Sequence, residues 1–572
     1  MTIIIYNFHP MKKIIISVSL LAITFNLFGQ VAPGKYFIEF TDKNNNPYSI
    51  DRPDEFLSER ALQRRQKQYI AVDSTDLPVT PLYMENIRSL GIIVINQSKW
   101  LNGITINLPD ISLLDSIMKF PFVKKIHKND LLIRDPEPPI DKYSSETASM
   151  EEISTGGNLT GIKVGTDMFN YGPSFKQIHM VNGDLLHQQN YRGEGKIIAV
   201  LDAGFLNADI LPVFDSIHID NRILGTRDFV VPGNDVYRES MHGMAVLSII
   251  GGNLPGQLIG TAPKASFLLY RTEDANSEYL IEEYNWISGA EAADSAGADI
   301  ITSSLGYTTF DNPDQDHTCA DMSGNHTPVT RGANIAASKG MIVVASAGNS
   351  GGTNWHCISA PADGSCVLAV GSVDSLGNYS LFSSVGEATS RIKPNVASMG
   401  ERTVVAGSDG SIMRGSGTSF SAPIISGMMA CLWQAVPSGS NYLLTRAVEL
   451  SSNQVMNPDS MIGYGIPDFM KAMTLVGEEP EKTDLRVDVI PNPFLNYFTL
   501  LINSSKEQPV RVEIIDQLGR SILPVVSTKC RVGENKIYIC NSSLSVLKPG
   551  LYLIKIVMEN GSSVHSIIKS SE

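Results

Sequence analysis

The sequence predicts an α/β protein: a parallel sheet with helices on both faces, preceded by a small α+β unit and followed by a small β-sandwich. Three observations predict it. Between residues 161 and 477, short apolar stretches at 197–201, 266–270, 300–302, 341–345 and 367–370 alternate with helical stretches such as 278–295 and 332–339. Short strands buried on both faces and separated by helices belong to parallel sheets. Beyond residue 485, short alternating stretches at 511–515, 536–539 and 551–556, punctuated by Gly, Pro and Asn, read as a small β-sandwich. Two polar stretches, 135–160 (opening Asp135-Pro-Glu-Pro-Pro139) and 478–484, separate these units as linkers.

Taken in order, the chain opens with Lys12 and Lys13, then an apolar run from Ile14 to Phe28. That run is shorter than the roughly 20 residues of a spanning helix and has the length of a signal-peptide core. Residues 1–29 are therefore expected to be a signal peptide, with Met11 an alternative start. No later segment is apolar enough to span a bilayer, so the chain is read as exported. From 31 to 134, residues 36–40, 91–95 and 103–107 read as strands, and 53–69 and 112–120 as helices. Arg64, Arg65 and Lys67 are expected to form a solvated helix face, and the linker 135–160 to be exposed and open to proteolysis.

Composition bounds the function. With 572 residues, 43% apolar and 18% charged, the chain has ample material for buried cores and is not globally disordered. A net charge of −14 argues against nucleic acid as a partner, because phosphate binding needs concentrated cations. Six Cys with no CxxC pair form neither a dense disulfide framework nor a zinc motif.

Three polar residues of the central unit carry chemistry as a set. Asp202 ends the apolar strand Ile198-Ala-Val-Leu-Asp-Ala-Gly-Phe205, at the strand edge where α/β active sites collect. His242 opens the apolar helix His242-Gly-Met-Ala-Val-Leu-Ser-Ile-Ile-Gly-Gly252, and Ser419 lies where Gly415-Ser-Gly-Thr-Ser-Phe-Ser-Ala-Pro423 runs into a helix. Pro423 places that segment in a first turn. Singly they read as a turn residue, a satisfied histidine and an N-cap. Together they are the groups of nucleophilic catalysis: a hydroxyl, an imidazole to take its proton, and a carboxylate to fix and stabilise the imidazole. Their order, Asp, His, Ser, differs from that of α/β-hydrolases and of chymotrypsin-like enzymes. Asn349, in the turn Ser346-Ala-Gly-Asn-Ser-Gly351 after an apolar strand, is a candidate oxyanion donor beside the Ser419 backbone N–H.

These segments resemble those of the subtilisin-like serine peptidases, the subtilases. Ala199-Val-Leu-Asp-Ala-Gly204 is similar to the Asp motif, His242-Gly243 to the His motif, and Gly417-Thr-Ser-Phe-Ser-Ala-Pro423 to the Ser motif. Ala347-Gly-Asn349 is similar to the oxyanion segment, and Gly463-Tyr-Gly-Ile-Pro-Asp468 to the segment that closes the domain. Ser303, Ser304, Leu305 and Gly306 resemble the substrate-binding strand. Met244 departs from the family, which usually has Thr there. The unit 31–134 resembles a subtilase propeptide. The end of the chain, with Ile490-Pro-Asn-Pro-Phe494, Ile515-Asp-Gln-Leu-Gly-Arg520 and Pro549-Gly-Leu-Tyr-Leu553, resembles the sorting domain of the type IX secretion system.

The resemblance implies a secreted serine endopeptidase acting on protein or peptide substrates through an acyl-enzyme. It also implies inhibition by its own propeptide, delivery by the type IX machinery, and a place outside the cell or on its surface. Activity should fall as pH drops below the His242 pKa, since the base must be neutral. A catalytically inactive subtilase-fold surface binding protein is the alternative, and an esterase with the same triad a third possibility. No cofactor is required for the chemistry. Asp311-Asn-Pro-Asp-Gln-Asp316 is oxygen-rich and a candidate for structural calcium, with a solvated loop the better reading. His317, Cys319, His326, His356 and Cys357 lack metal-ligand spacing and read as loop residues. Cys357 with Cys366, or Cys530 with Cys540, are possible disulfides that sequence does not assign.

Overall fold

The computed structural model describes residues 32–127 apart from 33, 69 and 109, then 142–144, 146, 150–153, 169–386, 391–477 and most of 486–570. The signal peptide, the Asp135-Pro-Glu-Pro-Pro139 stretch and the second linker lie outside the described residues. Residues up to 476 form one unit and residues from 477 another.

In the first unit, β1 (Lys35–Phe40), β2 (Ile93–Ser98), β3 (Gly103–Asn107) and β4 (Val123–His127) make an antiparallel sheet in the order β2-β3-β1-β4. Helices α1 (Glu59–Lys67), α2 (Pro81–Arg88) and α3 (Leu113–Ile117) complete this N-terminal part. The helix expected over 53–69 starts late, because the Ser58 hydroxyl accepts the Ala61 N–H and sets the N-cap there. Helix α2, which periodicity did not reveal, opens on Pro81, whose missing N–H costs nothing at a first turn.

The catalytic-type sheet follows: β5 (Glu151–Glu152) lies outside it, then β6 (Ile197–Asp202), β7 (Ile223–Asp228), α4 (His242–Gly251), β8 (Ser266–Arg271), α5 (Ile281–Ala296), β9 (Ile300–Ser303), α6 (Pro328–Ser338), β10 (Ile342–Ser346), β11 (Val367–Val373) and β12 (Val396–Met399). After the short strands β13 (Thr403–Ala406) and β14 (Ile412–Gly415) comes α7 (Thr418–Ala435). The seven sheet strands are all parallel, in the order β12-β11-β10-β9-β6-β8-β7. The expected inner strands are buried apart from Ser266, whereas the edge strand β7 is largely exposed or half-buried and so lacks an apolar run. Helices α4 and α7 pack on one face with Ile198, Val200 and Phe420; α5 and α6 pack on the other with Trp286, Ile287 and Val343. Helix α7 is buried on every side through Trp433, as befits a helix apolar all round.

The N-terminal sheet turns its two faces to different partners because side chains alternate along a strand. Tyr36, Ile38 and Phe40 join Ile87, Ile104 and Ile117 in a core of their own. Phe37 points the other way and stacks on Tyr284 of α5, with ring centroids 4.2 Å apart. The expectation of a solvated face on α1 holds for Lys67, which is exposed, and is corrected for Arg64 and Arg65. Arg64 and Arg65 are 5% and 1% exposed. Arg64 meets Asp294 of α5 at 2.5 Å; Arg65 meets Asp294 at 2.9 Å and Asp76 at 2.7 Å; Lys99 reaches Asp294 at 3.0 Å. Burial would raise the Asp294 pKa, but Lys99, Arg64 and Arg65 outweigh it and hold the carboxyl well below the usual range. The same face gives Glu291 bonds from the Ser98 hydroxyl and the Lys99 and Trp100 N–H groups.

The second unit contains β15 (Arg486–Ile490), β16 (Tyr497–Ser504), β17 (Gln508–Ile515), β18 (Val526–Cys530), β19 (Gly533–Cys540), β20 (Gly550–Met558) and β21 (Gly561–Lys569). They form antiparallel sheets β15-β16-β19 and β18-β17-β20-β21. Phe498, Leu500, Val512, Ile554, Ile556 and Ile567 fill one core between them. Phe494 is buried there, and the Asn492 amide before it brackets the last strand, accepting Ile568 N–H at 2.8 Å and donating to Ser566 O at 3.0 Å. Residues 516–520 of the second sorting motif lie outside the described residues.

Candidate active site

Strand β6 delivers Asp202, fully buried, to the carboxyl edge of the sheet. Its Oδ1 accepts the Ala203 N–H and lies 2.8 Å from Nδ1 of His242, the first residue of α4. That approach depends on Gly243, where a Cβ would come within 2.4 Å of Gly204 O and 2.7 Å of the Asp202 Cβ. With Nδ1 held by the carboxylate, Nε2 is the nitrogen turned toward the site. Burial by itself would lower the His242 pKa, but Asp202 and then Glu146 outweigh it and carry it up to about 10.

Ser419 is the second residue of α7, and Pro423 falls in the second turn of that helix, not the first. A proline inside a helix has no N–H for the carbonyl four residues earlier, which here is that of Ser419. The Ser304 hydroxyl replaces the missing donor, bonding Ser419 O at 2.8 Å, and Ser419 Oγ in turn lies 3.3 Å from Ser304 O. The proline therefore ties the start of α7 to the end of β9. Asn349, after β10, is fixed by its Oδ1, which accepts the Thr418 N–H at 2.8 Å and the Thr418 hydroxyl at 2.9 Å. Its amide N–H₂ donates to the same carboxylate oxygen, Glu146 Oε1, that the Ser419 hydroxyl approaches. The Ser419 N–H is among the first donors of α7, which no helix satisfies internally.

His242, Asn349 and Ser419 meet on a residue that sequence reasoning missed. Glu146 Oε1 accepts from Asn349 Nδ2 at 2.5 Å and from Ser419 Oγ at 3.2 Å, and Oε2 lies 3.4 Å from His242 Nε2. The Tyr143 ring stacks on the His242 ring at 4.1 Å. Farther on, β5 pairs antiparallel with β14. The linker expected to be exposed is thus, over its described residues, partly buried in the cleft: Tyr143 and Glu146 are 8% and 9% exposed. Nothing local in Tyr143-Ser-Ser-Glu146 distinguishes it from an ordinary polar turn, because its meaning lies in what it touches.

Of the expected substrate-binding strand, Ser303 and Leu305 are buried, and the Ser303 hydroxyl accepts the Trp286 indole N–H at 2.9 Å in the interior. Ser304 bonds the start of α7, and Gly306 is exposed. The loop cysteines are corrected: Cys357 pairs with Cys319, not Cys366, which is free and exposed; Cys530 is free and buried. The nearby histidines have separate partners, His317 with Glu283, His326 with Asp321 and His356 with Gly351 O. Asp311 and Asp316 accept the backbone N–H groups of Glu278 and Phe310, bracing their loop.

Comparison with known proteins adds three matches along the chain. Residues 193–465 match the Subtilase family, residues 35–142 the Peptidase S8 propeptide domain of Bacteroidota, and residues 488–570 a secretion system C-terminal sorting domain. Subtilisin NAT of Bacillus subtilis subsp. natto is 28% identical over 284 residues, 49% of this chain and 66% of that protein. Subtilisin of Bacillus pumilus is 28% identical over 268 residues, 46% of this chain and 86% of that protein. The solved structure of the prenylagaramide maturation protease PagA is 24% identical, with a TM-score of 0.41, covering 52% of this chain and 98% of that one.

Proposed function

We propose that the chain, whose residues 193–465 match the Subtilase family, with a propeptide match before them and a sorting-domain match after them, is a subtilase and a secreted serine endopeptidase made as a self-blocked precursor. One observation carries the reading: His242, Ser419 and Asn349, from three separate elements, converge on the single carboxylate of Glu146. In this reading the carboxylate stands in for the acyl centre of a substrate. Once residues 142–146 are gone, a peptide carbonyl takes that position, its oxygen held by the Asn349 amide and the Ser419 N–H. Ser419 Oγ attacks the carbon while His242 Nε2 takes its proton, and Asp202 stabilises the imidazolium. The same proton passes to the leaving amine, and water then hydrolyses the acyl-enzyme. Every group this chemistry uses is a side chain or backbone N–H of the chain, so the reading assigns it no metal or organic cofactor.

The precursor is blocked twice. Glu146 fills the space, and it helps Asp202 keep His242 protonated at neutral pH, so the general base is already spent. The sorting domain marks the chain for export to the secreted or cell-surface space. Among the described residues no helix is long and apolar enough to cross a membrane.

A fluorophosphonate probe tests the proposal. The processed protein should label at Ser419 and cleave casein, and Ser419→Ala should do neither. Absence of labelling in a folded, processed protein would end the reading, as would equal casein cleavage by the variant.

A further inference from the structure

Beside the catalytic groups lies a cluster that the chemistry above does not use. Glu273, Glu278 and Glu282 each offer a carboxylate oxygen within 4.8 Å of the others. Lys142, from the segment that blocks the cleft, places its ammonium among them, 2.7 Å from Glu278, 3.0 Å from Glu273 and 3.0 Å from Glu282. Two of the three carboxylates are also held by donors other than that lysine. Glu273 accepts the Tyr307 hydroxyl, and Glu282 accepts the N–H groups of Asp274 at 2.7 Å and Tyr279 at 3.2 Å. Glu273 and Glu282 therefore keep their places when the segment leaves, and Glu278, which Lys142 holds at 2.7 Å, loses its counterion.

The backbone shows what else reaches this spot. The Lys142 N–H bonds Ala275 O at 2.8 Å, on the loop after β8, and the next residue, Tyr143, lies against the His242 ring. The segment itself turns there, with the Glu146 N–H on Tyr143 O at 3.1 Å; a peptide whose own N–H takes Ala275 O as the Lys142 N–H does would present its side chain to the same carboxylates. We propose that this pocket is a substrate-specificity site: it selects a lysine side chain one residue upstream of the substrate residue that rests on His242. This deepens the endopeptidase reading and rests on it. Lysine fits better than arginine, since three separate oxygens around one nitrogen match the three donors of an ammonium and not a planar fork. Burial, reinforced by Glu273, pushes the Glu278 carboxyl up to about 7 even against the pull of Lys142, so the preference for lysine should strengthen as pH rises through that value and Glu278 ionises.

The test uses the processed protein and quenched peptides identical except for lysine, arginine or norleucine scanned through the positions upstream of one cleaved bond. At one position lysine should exceed norleucine in kcat/KM by on the order of 10- to 100-fold, the range for charge-assisted bonds to a buried site, with arginine in between. Glu278→Gln should shrink that ratio to within about threefold. Lysine and norleucine cleaved alike at every position by the wild-type protein would overturn the proposal while leaving the endopeptidase intact. Calcium bound by the wild type and lost in Glu278→Gln, with no lysine preference, would overturn it in favour of a metal site. If no peptide is cleaved and Ser419 does not label, the endopeptidase reading itself has failed.

Discussion

Replacing Glu146 by Gln keeps the shape of the blocking side chain and removes its charge. The amide oxygen can still accept from Asn349 and Ser419, which approach Oε1 at 2.5 Å and 3.2 Å. Both bonds change from charge-assisted to neutral, which roughly halves each and removes about 1 kcal/mol apiece. The ion pair at 3.4 Å with the fully buried His242 is lost as well, and an N–H₂ group then faces a ring nitrogen that carried a proton. A further loss of about 1 kcal/mol gives about 3 kcal/mol in all, or about two orders of magnitude in how often the site stands open. The assay is the initial rate at which a fluorophosphonate labels Ser419 in freshly purified, full-length precursor, with uncut protein separated by size. Glu146→Gln should label about 100-fold faster than wild type. A rate within about threefold of wild type would show that the carboxylate does not hold the block and would refute the argument.

The pH dependence of the block follows from His242. Its pKa is carried up to about 10 first by Asp202, which stays when the block opens, and then by Glu146, which does not; the share of the block that Glu146 provides is therefore present while His242 is protonated and is lost as pH rises through about 10. Labelling of wild-type precursor should accelerate as pH approaches that value, and Glu146→Gln should flatten the rise. Asn349→Leu should lower kcat of the processed protein by about 100- to 1,000-fold with little change in KM, the size known for the oxyanion asparagine of a subtilisin; a drop below about tenfold would deny it that role. Asp294→Asn leaves Arg64, Arg65 and Lys99 around an uncharged amide and should cost the precursor about 3–5 kcal/mol in denaturant unfolding, yet barely change the processed protein.

What could be read in advance divides by distance along the chain. Asp202, His242, Asn349 and Ser419 stand out as candidates because each lies in a short contiguous motif, with glycines where backbones must touch, as Gly243 does beside Asp202. The inner strands were legible because burial on both faces leaves an uninterrupted apolar run; β7, half exposed, had none. Arg64 and Arg65 were misread because a charged helix looks the same whether water or Asp294, some 230 residues away, faces it. Cys319 and Cys357 stand in loops whose approach no local pattern fixes. Pro423 was placed one turn early because the donor that makes it tolerable, Ser304, comes from another element.

The buried carboxylate of Asp294 bears on which N-terminal domain can accompany which enzyme. Its three cations, Arg64, Arg65 and Lys99, all come from the N-terminal part of the chain. A foreign partner lacking even one would have to bury charge without compensation at that face. The two halves are therefore matched to each other as a cognate pair, and exchanging N-terminal domains between relatives should succeed only when this arrangement of charges is transplanted with them.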